Sequence, residues 1–236
     1  MRIKILYEDS DILAINKPSG VLVHPVPEHP SSRTKFTTGQ KARYGAGPDK
    51  QKTIRDIFAK KYPKLEIVHR LDKETSGVLL LAKNKKAHEF LKKQFQGREV
   101  KKVYNVIVSG RVKNDHGIIN KPIGRSPKDF RRYLSGRGAR GTMRDAETSY
   151  KVLKRLKDFT FLEVRPKTGR THQIRVHMKF INHPVVCDSL YNPNGSCPKG
   201  IKRLALHALS IEFKNLKGKT IKIESPLPKE FQKMLK

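Results

Sequence analysis

Asp72 stands in the run His69-Arg70-Leu71-Asp72-Lys73-Glu74-Thr75-Ser76-Gly77, between a basic dipeptide and a Thr-Ser-Gly turn that opens into an apolar stretch. A carboxylate at the mouth of a turn, with an arginine two residues before it, could act as a nucleophile or base on a polyanionic substrate. An aspartate so placed more often accepts a local hydrogen bond, but the rim of a sheet is where sites are commonly built. Three more constellations have chemistry to offer. Asn16 to Pro25 (NKPSGVLVHP) reads first as a tight turn with a basic edge. In Lys102-Val103-Tyr104-Asn105-Val106, Tyr104 shares a strand face with Val106 and Val108, which ordinary core packing explains. In TGRTHQIRVHMKFINHP, Thr168 to Pro184, Thr171 is expected to cap a helix with Arg175 one turn inside. Arg175 is then either a surface cation or the buried partner of a carboxylate. His172 and His177 are five apart, off a common helix face, so they do not form a metal pair.

These residues need a sheet to hold them. Strands are expected over 2–8 and 11–16, joined at Asp9-Ser10, with a short one over 21–23. From about 25 to 52, Pro, Gly, Ser, Thr and basic residues predict a long polar loop. Thr53 and Asp56 form a capping box that opens a helix. Residues 76–82 are a fully apolar strand. Asn84 caps a helix with Ala87, Phe90, Leu91 and Phe95 on one stripe, which Gly97 ends. A strand follows over 100–108, then a second basic, Gly-rich loop over about 111–144. Strands over 148–156 and 159–164, a helix over 171–181, strands over 203–213 and 219–224, and a short terminal helix complete the chain. Strands outnumber helices and most are joined by short turns. The fold class is therefore α+β, a mixed, largely antiparallel sheet with flanking helices, in one domain over 1–236.

Charge selects the partner. The chain has 52 Lys and Arg against 21 Asp and Glu, a net charge of +31. So one-sided an excess repels itself unless a polyanion meets it, which points to nucleic acid gripped by the two basic loops. A membrane partner is not expected, because no run of eighteen apolar residues exists and no signal peptide opens the chain. Cys187 and Cys197 lack metal-ligand spacing, and two cysteines are few for a secreted framework, so a reduced, cytoplasmic protein is expected.

Taken together and in order, NKPSGVLVHP, HRLDKETSGVLLLAKN, KKVYNVIVSG, RPKTGRTHQIRVHM and RLALHALSIEF resemble the RluA-type family of pseudouridine synthases over nearly the whole chain. The resemblance implies the pseudouridine synthase fold and the isomerisation of uridine in structured ribosomal or transfer RNA to pseudouridine. The bond from the ribose to uracil nitrogen breaks, the base turns, and a carbon–carbon bond forms at ring carbon 5. It implies no cofactor and no metal. By resemblance Asp72 matches the catalytic aspartate, Tyr104 the tyrosine that lies against the uracil and takes part in proton removal, and Arg175 the arginine paired with that aspartate. Arg70 matches a side chain that fills the gap left by the flipped base, and Ile174 gives the base an apolar wall. His69, Lys102 and Arg170, within the same motifs, are expected to contact RNA. Extracting a base from its stack costs a few kcal/mol, least in a loop or bulge. A carboxylate in the resulting dry pocket tends to bind a proton, and a guanidinium opposes this.

The chain starts at the catalytic domain, so the accessory N-terminal RNA-binding domain of some relatives is expected to be absent. Asn182 replaces a usual glycine and should keep its left-handed geometry. A monomer with no obligate protein partner is expected. Two readings compete. A non-catalytic RNA-binding or ribosome-assembly protein on the same fold would need no Asp72. A glycosidase would need a second acidic motif across the bond, and none is apparent.

Overall fold

The computed structural model describes residues 3–24, 52–136 and 138–236. Its organising element is the strand Ser76–Ala82, buried at all seven positions. Alternate residues feed two cores: Val78, Leu80 and Ala82 pack with Ala87 and Leu91, while Leu79 and Leu81 pack with Ile54 and Phe58. Helices cover both faces, so the strand carries no polar alternation.

In chain order the strands are β1 (Ile5–Glu8), β2 (Ile12–Lys17), β3 (Glu66–Ile67), β4 (Ser76–Ala82), β5 (Lys101–Ser109), β6 (His116–Asn120) and β7 (Ile123–Arg125). They continue with β8 (Tyr133–Ser135), β9 (Arg140–Arg144), β10 (Glu147–Arg155), β11 (Phe159–Pro166), β12 (Leu206–Lys214) and β13 (Thr220–Glu224). The helices are α1 (Ile54–Phe58), α2 (Lys85–Gln96), α3 (Gln173–Phe180) and α4 (Lys229–Leu235). The large sheet runs β1-β2-β4-β12-β5-β11-β10-β6, with β13 added beside β12 and β3 beside β4. Its pairs are antiparallel except β4 with β12. This is the expected α+β architecture.

Local chemistry sets the helix ends. Thr53 and Asp56 make both halves of the expected capping box, Asn84 accepts from the Ala87 N–H, and α2 is closed by the Gly97 N–H on the Lys93 carbonyl and the Arg98 N–H on the Phe95 carbonyl. At α3 the expectation fails: His172, not Thr171, precedes the helix, in left-handed conformation (φ 55°) and with no side-chain cap. The reason is Gln173, whose Oε1 accepts from the Arg170 N–H and the Thr168 hydroxyl, while Nε2 donates to the Glu147 carbonyl and Thr148. The helix entrance is tied to β10 instead of being capped. Asn182, at φ 62°, has the expected left-handed turn geometry.

Other expectations change as well. The stretch 111–144 is not a loop: it holds β6 at the edge of the large sheet and β7, β8 and β9 as a separate antiparallel sheet in the order β8-β7-β9. These strands are only three to five residues long, and β7 and β9 carry the exposed Arg125, Arg140 and Arg144, which hides them as strands. Val21 and Val23 are buried without forming a strand, because the Leu22 carbonyl accepts from the Ile54 N–H instead of a sheet partner. Nearly all of the expected loop over 25–52 (25–51) lies outside the described residues. Cys187 and Cys197, expected reduced, are joined as a disulfide, since the intervening turn brings their Cα atoms to 5.3 Å.

Candidate active site

Asp72 lies in the link between β3 and β4, and the start of β4 explains the Thr-Ser-Gly sequence. Ser76 and Gly77 pair in parallel with His207 and Ala208 of β12. Gly77 has φ +111°, and a Cβ there would stand 2.1 Å from the Ala208 carbonyl oxygen. Only glycine permits the two backbones to meet so closely. The turn is braced from the other side by the NKPSG segment. Lys17, completely buried, gives its three hydrogens to the carbonyls of Pro18, Val21 and Lys73, each at 2.9 Å. Gly20 N–H also reaches the Lys73 carbonyl, and the Ser19 hydroxyl donates to the Glu74 carbonyl at 2.7 Å. Burial pushes the Lys17 ammonium down to about 7, against the pull of Asp72 and Glu74. The NKPSG turn is thus a scaffold for Asp72.

Arg175 settles the choice left open by the sequence: it is the buried partner of a carboxylate, and in fact of two. Nη1 donates to Asp72 Oδ2 at 3.2 Å. Nε and Nη2 donate to Asp188 Oδ2 and Oδ1 at 2.7 and 2.8 Å. Asp188 also accepts from the Leu190 and Tyr191 N–H groups, each at 2.9 Å, and the Tyr191 ring lies 5.0 Å from the guanidinium. Burial opposes the charge of Arg175, but hydrogen bonding and the charge of Asp188, then Asp72, carry it well above its ordinary value. Burial likewise opposes ionisation of Asp188, and Arg175 with the two N–H groups holds it below the usual carboxylate range.

His172 faces the other oxygen of Asp72, with Nε2 3.9 Å from Oδ1. Burial lowers its imidazole below the ordinary value despite Asp72. The Tyr191 hydroxyl accepts from the Tyr133 N–H at 2.9 Å and is 3.0 Å from His172 Nδ1. The consistent assignment has Tyr191 donating to Nδ1, leaving the Nε2 hydrogen directed at Asp72.

Asp72, His172 and Arg175 border a cavity of about 450 Å³ whose wall also includes Tyr104, Ile174, His69 and Lys102. Tyr104 stands on β5 opposite Ala208, and burial, then the Asp72 charge, push its phenol well above the ordinary value. Lys102 comes from the same strand, its Nζ 3.4 Å from the Thr168 carbonyl, and burial lowers it to about 8. Ile174 is buried on the first turn of α3. His69 turns inward: its ring stacks on Phe95 at 4.8 Å and Nε2 accepts the Leu80 N–H at 2.9 Å. Burial pushes that imidazole down to about 3. Arg70 is exposed at the rim, 3.4 Å from His24, and Arg170 donates to the Asp145 carbonyl at 2.9 Å. The structure thus brings all eight expected residues to one cavity or its rim.

Sequence reasoning missed Asp188, Lys17, Tyr191 and the placement of His172. The signals were faint: Asp188 is a polar acceptor between Val-Val-Cys and Ser-Leu-Tyr, the pattern of an Asx turn, and Lys17 is the single charge ending the apolar strand Ile-Leu-Ala-Ile-Asn. Among the described residues no group of three or more His, Cys, Asp and Glu could hold a metal ion. The arrangement sets a carboxylate oriented by a guanidinium beside an aromatic ring and an apolar side chain at one cavity.

Comparison with known proteins agrees. The model of the RNA pseudouridylate synthase family matches residues 11–180. An uncharacterized RNA pseudouridine synthase of Bacillus subtilis is 37% identical over 236 residues, covering 100% of this chain and 72% of its own length. A ribosomal large subunit pseudouridine synthase D of Borreliella burgdorferi is 38% identical over 229 residues, 97% of this chain and 66% of its own. The chain thus spans roughly two thirds of the length of these relatives. The structure of human RNA pseudouridylate synthase domain containing 4 superposes with TM-score 0.73 at 27% identity, covering 98% of this chain and 91% of that one. By motif, fold and overall likeness, the chain belongs to the RNA pseudouridylate synthase family.

Proposed function

We propose that the protein isomerises uridine in structured ribosomal RNA to pseudouridine, with Asp72 as the catalytic carboxylate. The observation that carries this reading is the placement of Asp72 at the cavity: Oδ2 is held by Arg175 at 3.2 Å, while Oδ1 faces His172 Nε2 at 3.9 Å. One oxygen is oriented and the other stays available. A uridine flipped from its stack enters the cavity against Ile174 and the Tyr104 ring. Arg70 stands at the rim, where it can fill the space the base leaves. Asp72 adds to the ribose or the base as the ribose–nitrogen bond breaks, the uracil turns, and ring carbon 5 bonds to the ribose as the bond to Asp72 is released; carbon 5 gives up its hydrogen as a proton and the freed ring nitrogen takes one up. Substrate and product are isomers, so no external reductant or oxidant takes part. Burial keeps the Tyr104 phenol protonated at neutral pH. Tyr104 therefore acts as a ring surface and O–H donor instead of a free phenolate base. Lys102 and Arg170 meet the phosphates that flank the target, contacts that position RNA without reading its sequence.

The net charge of +31 supports an RNA partner, and the name of the Borreliella relative supports the ribosomal large subunit as its source. In this reading the protein works as a monomeric enzyme in the cytoplasm, without cofactor or protein partner. Pseudouridine mapping of ribosomal RNA from cells lacking the gene tests it. One or a few sites should be lost, and regained with the wild type but not with Asp72→Asn. An unchanged ribosomal map would refute the substrate assignment. Rescue by the variant would refute the role of Asp72.

A further inference from the structure

Asp188 is completely buried, accepts four hydrogen bonds and has no substrate-facing surface, yet it takes more of Arg175 than Asp72 does. A guanidinium has a rigid fork that pairs best with a carboxylate through two parallel N–H groups. Here that fork is engaged by Asp188, through Nε and Nη2, and only Nη1 is left for Asp72. The side-chain exposures agree: none for Asp188, 8% for Arg175 and 19% for Asp72. We propose that Asp188 is a positioning residue for the isomerisation, holding the Arg175 fork so that Asp72 is oriented by one hydrogen bond and not locked by two. Without Asp188 the fork is free to turn and seize both Asp72 oxygens, including the one the reaction needs.

Charge works in the same direction. Arg175 lies between two carboxylates, so its positive charge is largely answered by Asp188 before Asp72 meets it. The other titratable groups that the Asp72 charge reaches are Lys17 on β2, Tyr104 on β5, His172 ahead of α3 and Tyr191 in the turn after Asp188. None of these engages the fork through hydrogen bonds. Removing the Asp188 charge exposes Asp72 to the full charge of Arg175, which favours the ionised form.

The inference rests on the reading of Asp72 as the catalytic carboxylate. Asp188→Asn keeps an oxygen for the Leu190 and Tyr191 N–H groups while removing the charge. Its kcat on RNA tritiated at uracil carbon 5 should fall about 10²-fold, the scale of a misplaced reacting group, with KM within twofold. The acid limb of its pH–rate profile should move lower by about one unit. Asp188→Glu, which keeps the charge, should leave that limb in place. A purely structural role would lower the melting temperature and leave the limb unmoved in both variants, which would overturn the proposal. If Asp188→Asn does not fold, Arg175→Lys asks the same question. A lysine has no fork to share, so kcat should fall at least about tenfold at unchanged RNA affinity, and wild-type turnover would overturn the proposal. If the wild type itself releases no tritium, the functional reading fails. The Asp72 carboxyl signal followed against pH by ¹³C NMR then decides the inference alone: a shift to lower pH in Asp188→Asn upholds it, and coincident curves reject it.

Discussion

The cavity wall and the small β8-β7-β9 sheet both meet α3 and treat charge in opposite ways. At the wall Arg175, and behind it Lys17 and Asp188, are buried, and their hydrogen-bonding groups are spent on named partners. On the small sheet Arg125, Arg140 and Arg144 are exposed, while Tyr133 reaches back to Tyr191 and His172. Buried charges need partners to survive and are thereby fixed in place. Exposed charges keep their water, move freely, and are worth something only when a polyanion arrives. Chemistry requires the first kind of charge and capture of RNA the second.

The contrast breaks most severely at Arg175. Arg175→Met orphans a completely buried Asp188 and should destabilise the fold by about 3–5 kcal/mol. For a chain of this size each kcal/mol is worth roughly 2–4 °C in Tm, so a calorimetric scan should show a drop near 10 °C together with lost turnover. Next comes Lys17→Met, which strands three carbonyl groups. The expected cost is about 1–3 kcal/mol, read as a lower urea midpoint at unchanged m-value.

On the small sheet the effects are milder and of another kind. Arg140→Ala combined with Arg144→Ala should leave Tm and saturated turnover unchanged. The slope of log affinity against log salt should fall by about two, one for each lost phosphate contact. A change in saturated turnover would show that this sheet takes part in chemistry. The smallest expected effect is at Lys102, whose ammonium burial lowers to about 8. It is charged below that pH and neutral above it, so the RNA contact proposed for it should be present at pH 7 and lost by pH 9. Filter binding should show a few-fold weakening across that interval that Lys102→Met lacks.

Much of the frame was legible in the sequence because single residues decided it. The apolar run of β4, the Asn84 cap and Gly97 end of α2, and the left-handed Asn182 are local facts that tertiary packing leaves alone. The eight expected site residues carried motif signals and converge on one cavity. What escaped depended on distant partners. Asp188 becomes informative only when Arg175 arrives from α3, and Lys17 only when the Asp72 turn closes over it. The strands within 111–144 were hidden because they are short and because exposed arginines stand in β7 and β9, which reads as a basic loop. The entrance of α3 was misjudged because Gln173 bonds backward to β10, an interaction across 25 or more residues that cap rules do not contain.

The most direct test of the account is single-turnover release of tritium from RNA labelled at uracil carbon 5, with enzyme in excess, comparing wild type and Asp72→Asn while RNA binding is measured on the same samples. The account predicts release by the wild type, none above background from the variant, and equal binding by both. Release by Asp72→Asn at the wild-type rate would contradict it.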